Sequence, residues 1–170
     1  MKGLISTLFI LFALITAAHA QQQLVPGNVA PMFTADSYGG GLFDLSSHHG
    51  KVVLLTFWST TCQICHNEIP KINQLVEKHR GKDIVFIALT LESKSKVESY
   101  VSKYPFNVNI LTNGFGVVLK YADMDKNGRM NMGFPAYFLI NKQGKIESRS
   151  SGWDKTSELD TRITKLLFSD

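Results

Sequence analysis

Val52-Val53-Leu54-Leu55-Thr56-Phe57-Trp58-Ser59-Thr60-Thr61-Cys62-Gln63-Ile64-Cys65-His66-Asn67-Glu68-Ile69-Pro70 holds the two signals that decide the fold. From Val52 to Trp58 every residue but Thr56 is apolar, which suits a strand buried on both faces of a mostly parallel sheet. After Cys62 the period changes. Cys65, Ile69, Ile72 and Val76 follow i, i+4, i+7, i+11, one face of a helix running to about His79, with Gly81 ending it. A buried strand feeding straight into a helix places Cys62 at the helix start.

The two cysteines are the only ones in the 170 residues, and they form one C-x-x-C. A small chain stapled by disulfides carries several well-separated cysteines. A four-residue loop removes little unfolded-state entropy, because that stabilisation grows with loop length. The pair therefore reads as chemistry. Thiol–disulfide exchange needs an attacking thiolate and a second thiol close enough to resolve the mixed disulfide. Cysteines three apart at a helix start lie on one face, and the partial positive charge of the helix N-terminus favours the first as thiolate. Cys62 is assigned as the nucleophile and Cys65 as the resolving thiol. Half of a zinc site is the competing reading. Zinc wants four protein ligands, or three and water, and neither a second C-x-x-C nor a fixed spacing of His48, His49, His66 and His79 supplies them. No metal and no cofactor is expected.

The flanking sequence completes an α/β pattern. Phe33-Thr34-Ala35 and Leu42 to Leu45 are strand candidates joined by the Gly-rich turn Ser37 to Gly41, which reads as a hairpin. Ile84 to Leu89 is a second buried strand. Ser95 and Glu98 offer a capping box for a helix through Val97, Tyr100, Val101 and Tyr104, stopped by Pro105. Val108 to Leu111 is a short strand. Tyr137 to Ile140 and Lys145 to Ser148 flank Asn141-Lys142-Gln143-Gly144, a hairpin signal. Leu159, Ile163, Leu166 and Leu167 mark a C-terminal amphipathic helix. Helices are expected on both faces of a mixed central sheet, with the N-terminal hairpin as an extension.

The first twenty residues read as a signal peptide: Lys2, an apolar run from Leu4 to Ile15, and Ala18-His19-Ala20 as the cleavage site. The apolar run is shorter than the about 20 residues a transmembrane helix needs; an uncleaved anchor is the alternative. Residues 21–170 are expected to form one domain. The net charge of +4 falls by one with Lys2, and the basic residues are scattered, so nucleic-acid binding has no support.

The segment from Val53 to Pro70 resembles the active-site segment of the TlpA/ResA-like branch of thioredoxins, in which a strand ending in Phe-Trp leads into C-x-x-C and then x-x-Glu-x-Pro. Gly133-Phe134-Pro135-Ala136-Tyr137-Phe138-Leu139-Ile140-Asn141 is similar to the same family's Gly-x-Pro segment. The resemblance runs from about Gly27 to the chain end. It implies a thioredoxin-like fold and an exported, periplasmic or secreted, thiol–disulfide oxidoreductase that reduces protein disulfides. It further implies electrons from a membrane thiol donor, apocytochrome c among possible substrates, and a monomer. It implies a cis Pro135 packing against the cysteines, and a substrate surface made with Trp58 and the backbone of Phe134. It makes Glu68 a proton shuttle for Cys65 or a tuner of the thiols; the residues alone fit a solvated glutamate in a first helical turn. Pro70 kinks the helix in that family, although period alone also fits Pro70 as a helix end.

Thr61 and Ile64 depart from the family's tryptophan and proline beside the cysteines, and Thr56 stands where thioredoxin keeps a buried aspartate. Two other functions are weighed. A peroxiredoxin-like peroxidase wants Pro-x-x-x-Thr-x-x-Cys, where this chain has Leu55 and Ser59. A copper chaperone on the same scaffold wants a longer cysteine spacing and a distal histidine. Asp123 to Gly128 starts like a calcium loop but has Phe134 where the bidentate glutamate belongs. Met124, Met130 and Met132 read as gap fillers. His66, four residues from Cys62, either lowers that thiol's pKa or is simply solvated.

Overall fold

The computed structural model describes residues 23–169. The signal-peptide reading therefore lies outside the described residues. Among the described residues nine strands and four α-helices follow in the order β1 (Thr34–Ser37), β2 (Leu42–Asp44), β3 (Val52–Phe57), α1 (Gln63–Lys78), β4 (Ile84–Leu89), α2 (Lys94–Val101), β5 (Asn109–Thr112), α3 (Phe115–Tyr121), β6 (Asp123–Met124), β7 (Met130–Asn131), β8 (Ala136–Ile140), β9 (Ile146–Ser151) and α4 (Thr156–Phe168), with a 3-10 turn at Leu45–His48. Seven strands make one mixed sheet in the order β2-β1-β5-β4-β3-β8-β9, and β6 and β7 form a separate ribbon.

β3 is the sheet's centre because every residue in it is apolar or can hide its hydroxyl. All six are buried, Leu54 and Leu55 completely. Each such side chain contributes about 1.5–3 kcal/mol relative to exposure. Alternation along β3 divides the core in two. Val53, Leu55 and Phe57 point to one layer, roofed by Val117, Val118 and Tyr121 of α3. Val52 and Leu54 point to the other, with Trp58 just beyond the strand, roofed by α1, α2 and α4 through Ile69, Ile72, Val97, Leu159 and Ile163. Helices thus cover both faces, as the pattern predicts.

β3 and β4 pair in parallel from Val52↔Ile84 to Phe57↔Leu89, and β8 pairs antiparallel with β3 so that Phe57 faces Ala136. Three segments consequently meet at one end of the sheet: the loop after Phe57 carrying Cys62, the loop after Leu89, and the Phe134-Pro135 entry to β8. Carboxyl ends of parallel strands are where α/β sheets place their chemistry.

Two expectations change. The α2 helix begins two residues early, with Ser93 as N-cap, so Ser95 and Glu98 form no capping box; the Ser93 side chain makes no cap hydrogen bond. α3 has no counterpart in the sequence reading. It is seven residues long and opens with Gly114-Phe115-Gly116, which masks its apolar face. Gly114 is required there, since a Cβ would overlap the Leu89 side chain.

Candidate functional site

α1 runs unbroken through Pro70, so this proline is an interior residue and not the helix end. Its missing N–H removes one helical hydrogen bond. At the other end Cys62 is the N-cap with extended backbone, and its Sγ accepts a hydrogen bond from the Cys65 amide at 3.1 Å. An N-cap side chain takes up one of the orphan amides of the first turn. Here the cap atom is sulfur, the atom type that carries negative charge in thiol–disulfide exchange. The helix terminus and that amide together favour the thiolate. Cys62 is disulfide-bonded to Cys65, with the Cα atoms 5.2 Å apart. Cys62 is half-buried at the surface, whereas Cys65 is buried beneath it. The sulfur at the N-cap is the more accessible of the two.

Trp58 does not sit where a substrate would touch it. It is 1% exposed and packs against Tyr100 and Phe106, with ring centroids 5.4 and 5.3 Å away. It floors the site. The Phe134–Pro135 peptide is cis. Pro135 is buried, its carbonyl accepting from the Gly152 amide at 2.9 Å, and half-buried Phe134 packs against both core layers.

Glu68, three residues from Cys65, is 1% exposed, not a solvated first-turn carboxylate. Its Oε1 accepts from Lys71 Nζ at 2.8 Å, while Oε2 is buried with no hydrogen-bond partner among the described residues. Across the sheet Tyr137 aligns with Thr56, and its hydroxyl is also buried without a partner among those residues. Burial, and then the nearby Glu68 charge, pushes this phenol far above its ordinary range.

His66 is held between two tyrosines, Nδ1 lying 2.9 Å from the Tyr100 hydroxyl and the ring standing edge-on to Tyr104 with centroids 4.4 Å apart. Together with Thr60, Thr61 and Gln63 these three rings line a groove of about 290 Å³ beside Cys62. The sequence pattern marks Tyr100 and Tyr104 only as a helical face.

Glu92 belongs to none of the sequence motifs. It leaves the end of β4 and accepts hydrogen bonds from the Thr60 amide (2.9 Å) and hydroxyl (2.7 Å), from Ser59 Oγ (3.3 Å) and Thr90 Oγ1 (3.2 Å), with Lys96 Nζ at 2.8 Å. Burial works against its charge, but Lys96 and Thr60 outweigh it and hold the carboxyl below its usual range. Its place just past a buried parallel strand was the one signal available. The carboxylates of the calcium-like loop are engaged within the protein: Asp123 pairs with Arg149 of β9 at 2.6–2.7 Å, and Asp125 Oδ1 accepts from the amides of Asn127 and Arg129.

Residues 26–149 match the AhpC/TSA family model. The thiol-disulfide oxidoreductase ResA of Bacillus thuringiensis subsp. konkukian is 27% identical over 147 residues, covering 86% of this chain and 81% of its own. ResA of Bacillus subtilis is 28% identical over 127 residues, covering 74% and 67%. A thioredoxin-family thiol:disulfide interchange protein of Chlorobium tepidum superposes with a TM-score of 0.71 at 20% identity, over 86% of this chain and 99% of that one, a likeness of fold. A secreted Mycobacterium tuberculosis disulfide oxidoreductase, described as homologous to Escherichia coli DsbE, gives 0.61 at 25% identity over 79% and 96%.

Proposed function

Since this chain belongs to the AhpC/TSA family and is a thiol–disulfide oxidoreductase of thioredoxin-like fold, we propose that it is exported and that it reduces disulfides in protein substrates. Cys62 at the helix N-cap, with Cys65 buried behind it, carries this reading.

In the reduced protein the Cys62 thiolate attacks a substrate disulfide. A Cys62–substrate bond forms, the substrate S–S bond breaks, and one substrate sulfur leaves as a thiol after taking a proton. Cys65 then gives its proton to Glu68 and attacks Cys62 Sγ. The second substrate sulfur departs with the bonding pair, and the Cys62–Cys65 disulfide remains. The substrate has gained two electrons. Glu68 suits the proton role because it is buried, three residues from Cys65 on the same helix, and has one oxygen without a partner. An extended substrate segment lies along the Phe134 backbone beside buried Pro135, a short form of strand addition.

A membrane thiol donor returns the electrons, apocytochrome c is among the substrates, and the chain acts as a monomer. The export reading rests on Lys2 to Ala20. Among the described residues no helix is long and apolar enough to cross a membrane. Equilibrating the Cys62/Cys65 couple in glutathione buffers tests the direction. A potential near thioredoxin's, about −270 mV, is expected; one near about −120 mV, that of a strong oxidant, overturns it.

A further inference from the structure

The two oxygens of Glu68 meet different surroundings. Oε2 faces no donor, while Oε1 is tied to the Lys71 ammonium at 2.8 Å. That ammonium is itself anchored from the far side. Asp154 Oδ1 lies 3.1 Å from Nζ, and the Trp153 ring centroid 4.8 Å from it. Both come from the turn between β9 and α4, where Asp154 takes a left-handed backbone (φ 57°) that aspartate tolerates better than most residues. The Lys71 side chain is 33% exposed and that of Glu68 2%, so the ammonium spans from the buried carboxylate to water. The other titratable groups about Glu68 are Tyr137 on β8, whose hydroxyl burial keeps neutral, and the cysteine pair of the same core layer.

We propose that Lys71 is a positioning residue for the proton step: held by Asp154 and Trp153, it keeps Glu68 ionised before each resolution step and drives the accepted proton back to solvent afterwards. This rests on the reading of Glu68 as the proton acceptor for Cys65. The balance is simple. Cys65 S–H gives its proton to the carboxylate, and its thiolate attacks Cys62 Sγ. Glu68 as a neutral acid no longer pairs with the ammonium, so the Coulombic attraction is regained only when the proton leaves for water at the exposed side of Lys71. The hydrogen bonds from Glu68 and then Asp154 in turn hold Lys71 protonated, above the ordinary lysine range.

Titrating the Glu68 carboxyl carbon by NMR in the oxidised protein tests the pair directly. In K71M the midpoint is expected to rise by about one pH unit or more, a tenfold gain in proton affinity. K71R is expected to restore it, and D154N or W153A, on exposed side chains, to move it the same way by less. A K71M midpoint equal to wild type overturns the proposal, as does a K71R midpoint displaced as far as that of K71M. If K71M fails to fold, unchanged midpoints in both D154N and W153A overturn it. The pH profile of mixed-disulfide resolution separates this from the parent reading. It should shift upward in K71M and lose its inflection in E68Q. A profile unchanged in E68Q overturns Glu68 as acceptor, and the catalytic meaning of Lys71 with it; an unchanged titration in K71M overturns Lys71 alone.

Discussion

The Glu92 carboxylate clasps Thr60, taking its amide at 2.9 Å and its hydroxyl at 2.7 Å, and so fastens the loop that carries Cys62 to the loop that leaves β4. β3 and β4 end level with each other, and the same two loops are also joined by the hydrogen bond from Ser59 Oγ to Glu92 at 3.3 Å and, at their bases, by the backbone bond from Trp58 N to Leu89 O at 3.1 Å.

Replacing Glu92 by alanine leaves the Thr60 amide and Lys96 without their acceptor. Loss of a charged hydrogen-bond partner at a part-buried site costs about 1.5–3 kcal/mol. E92A is expected to lower the urea midpoint accordingly and to change the alkylation rate of reduced Cys62. E92A stability equal to wild type would show that the loop holds its shape unaided.

The same carboxylate gives a signed pH dependence. Its folded-state titration lies below the ordinary glutamate range, so its contribution is fully present above the unfolded value of about 4.3 and fades as pH falls through the folded value. Linkage then predicts that the stability gap between wild type and E92Q is widest near neutral pH and shrinks below about pH 4. Denaturant melts at three pH values would check it; a gap that grows on acidification contradicts the assignment.

Tyr137 carries a buried hydroxyl with no partner among the described residues. Removing an unsatisfied polar group that leaves the ring in place is close to neutral or stabilising. Y137F is therefore expected to stay within about 1 kcal/mol of wild type by chemical denaturation. A loss of about 2 kcal/mol or more would reveal a hydrogen bond at that oxygen, to internal water for instance.

Gly114 opens α3 against Leu89, and a methyl group there collides with the Leu89 side chain. G114A is expected to destabilise by about 1–3 kcal/mol, the usual cost of overpacking. A thermal melt matching wild type would show that Leu89 can swing aside.

Much of this architecture is written locally. Runs such as Val52–Phe57 and Ile84–Leu89 are apolar on both faces because both faces are covered, and Cys62 follows one of them directly. The hairpin around Asn141 to Gly144 is equally plain, Gly144 taking the positive φ of 74° that its turn requires. What stayed hidden depends on distant partners. Glu92 finds Thr60 across 32 residues, and Lys71 finds Asp154 across 83. No period or spacing encodes either. Trp58 closes a run that reads as buried, while the family resemblance gives it a place on the substrate surface; α2 and Phe106 fold over it, and only the packed structure shows it to be floor. α3 escaped because two glycines and seven residues leave too little periodicity to see.

The division of labour between the two cysteines is the centre of the account, and trapping tests it most directly. Reduced C65A is mixed with a disulfide-containing protein substrate such as insulin, quenched in acid, and the adduct mapped by mass spectrometry. A stable mixed disulfide through Cys62 is expected, with C62A forming none and reducing nothing. Reduction of the substrate by C62A, or an adduct at Cys65 in that variant formed as fast as the one at Cys62 in C65A, would contradict it.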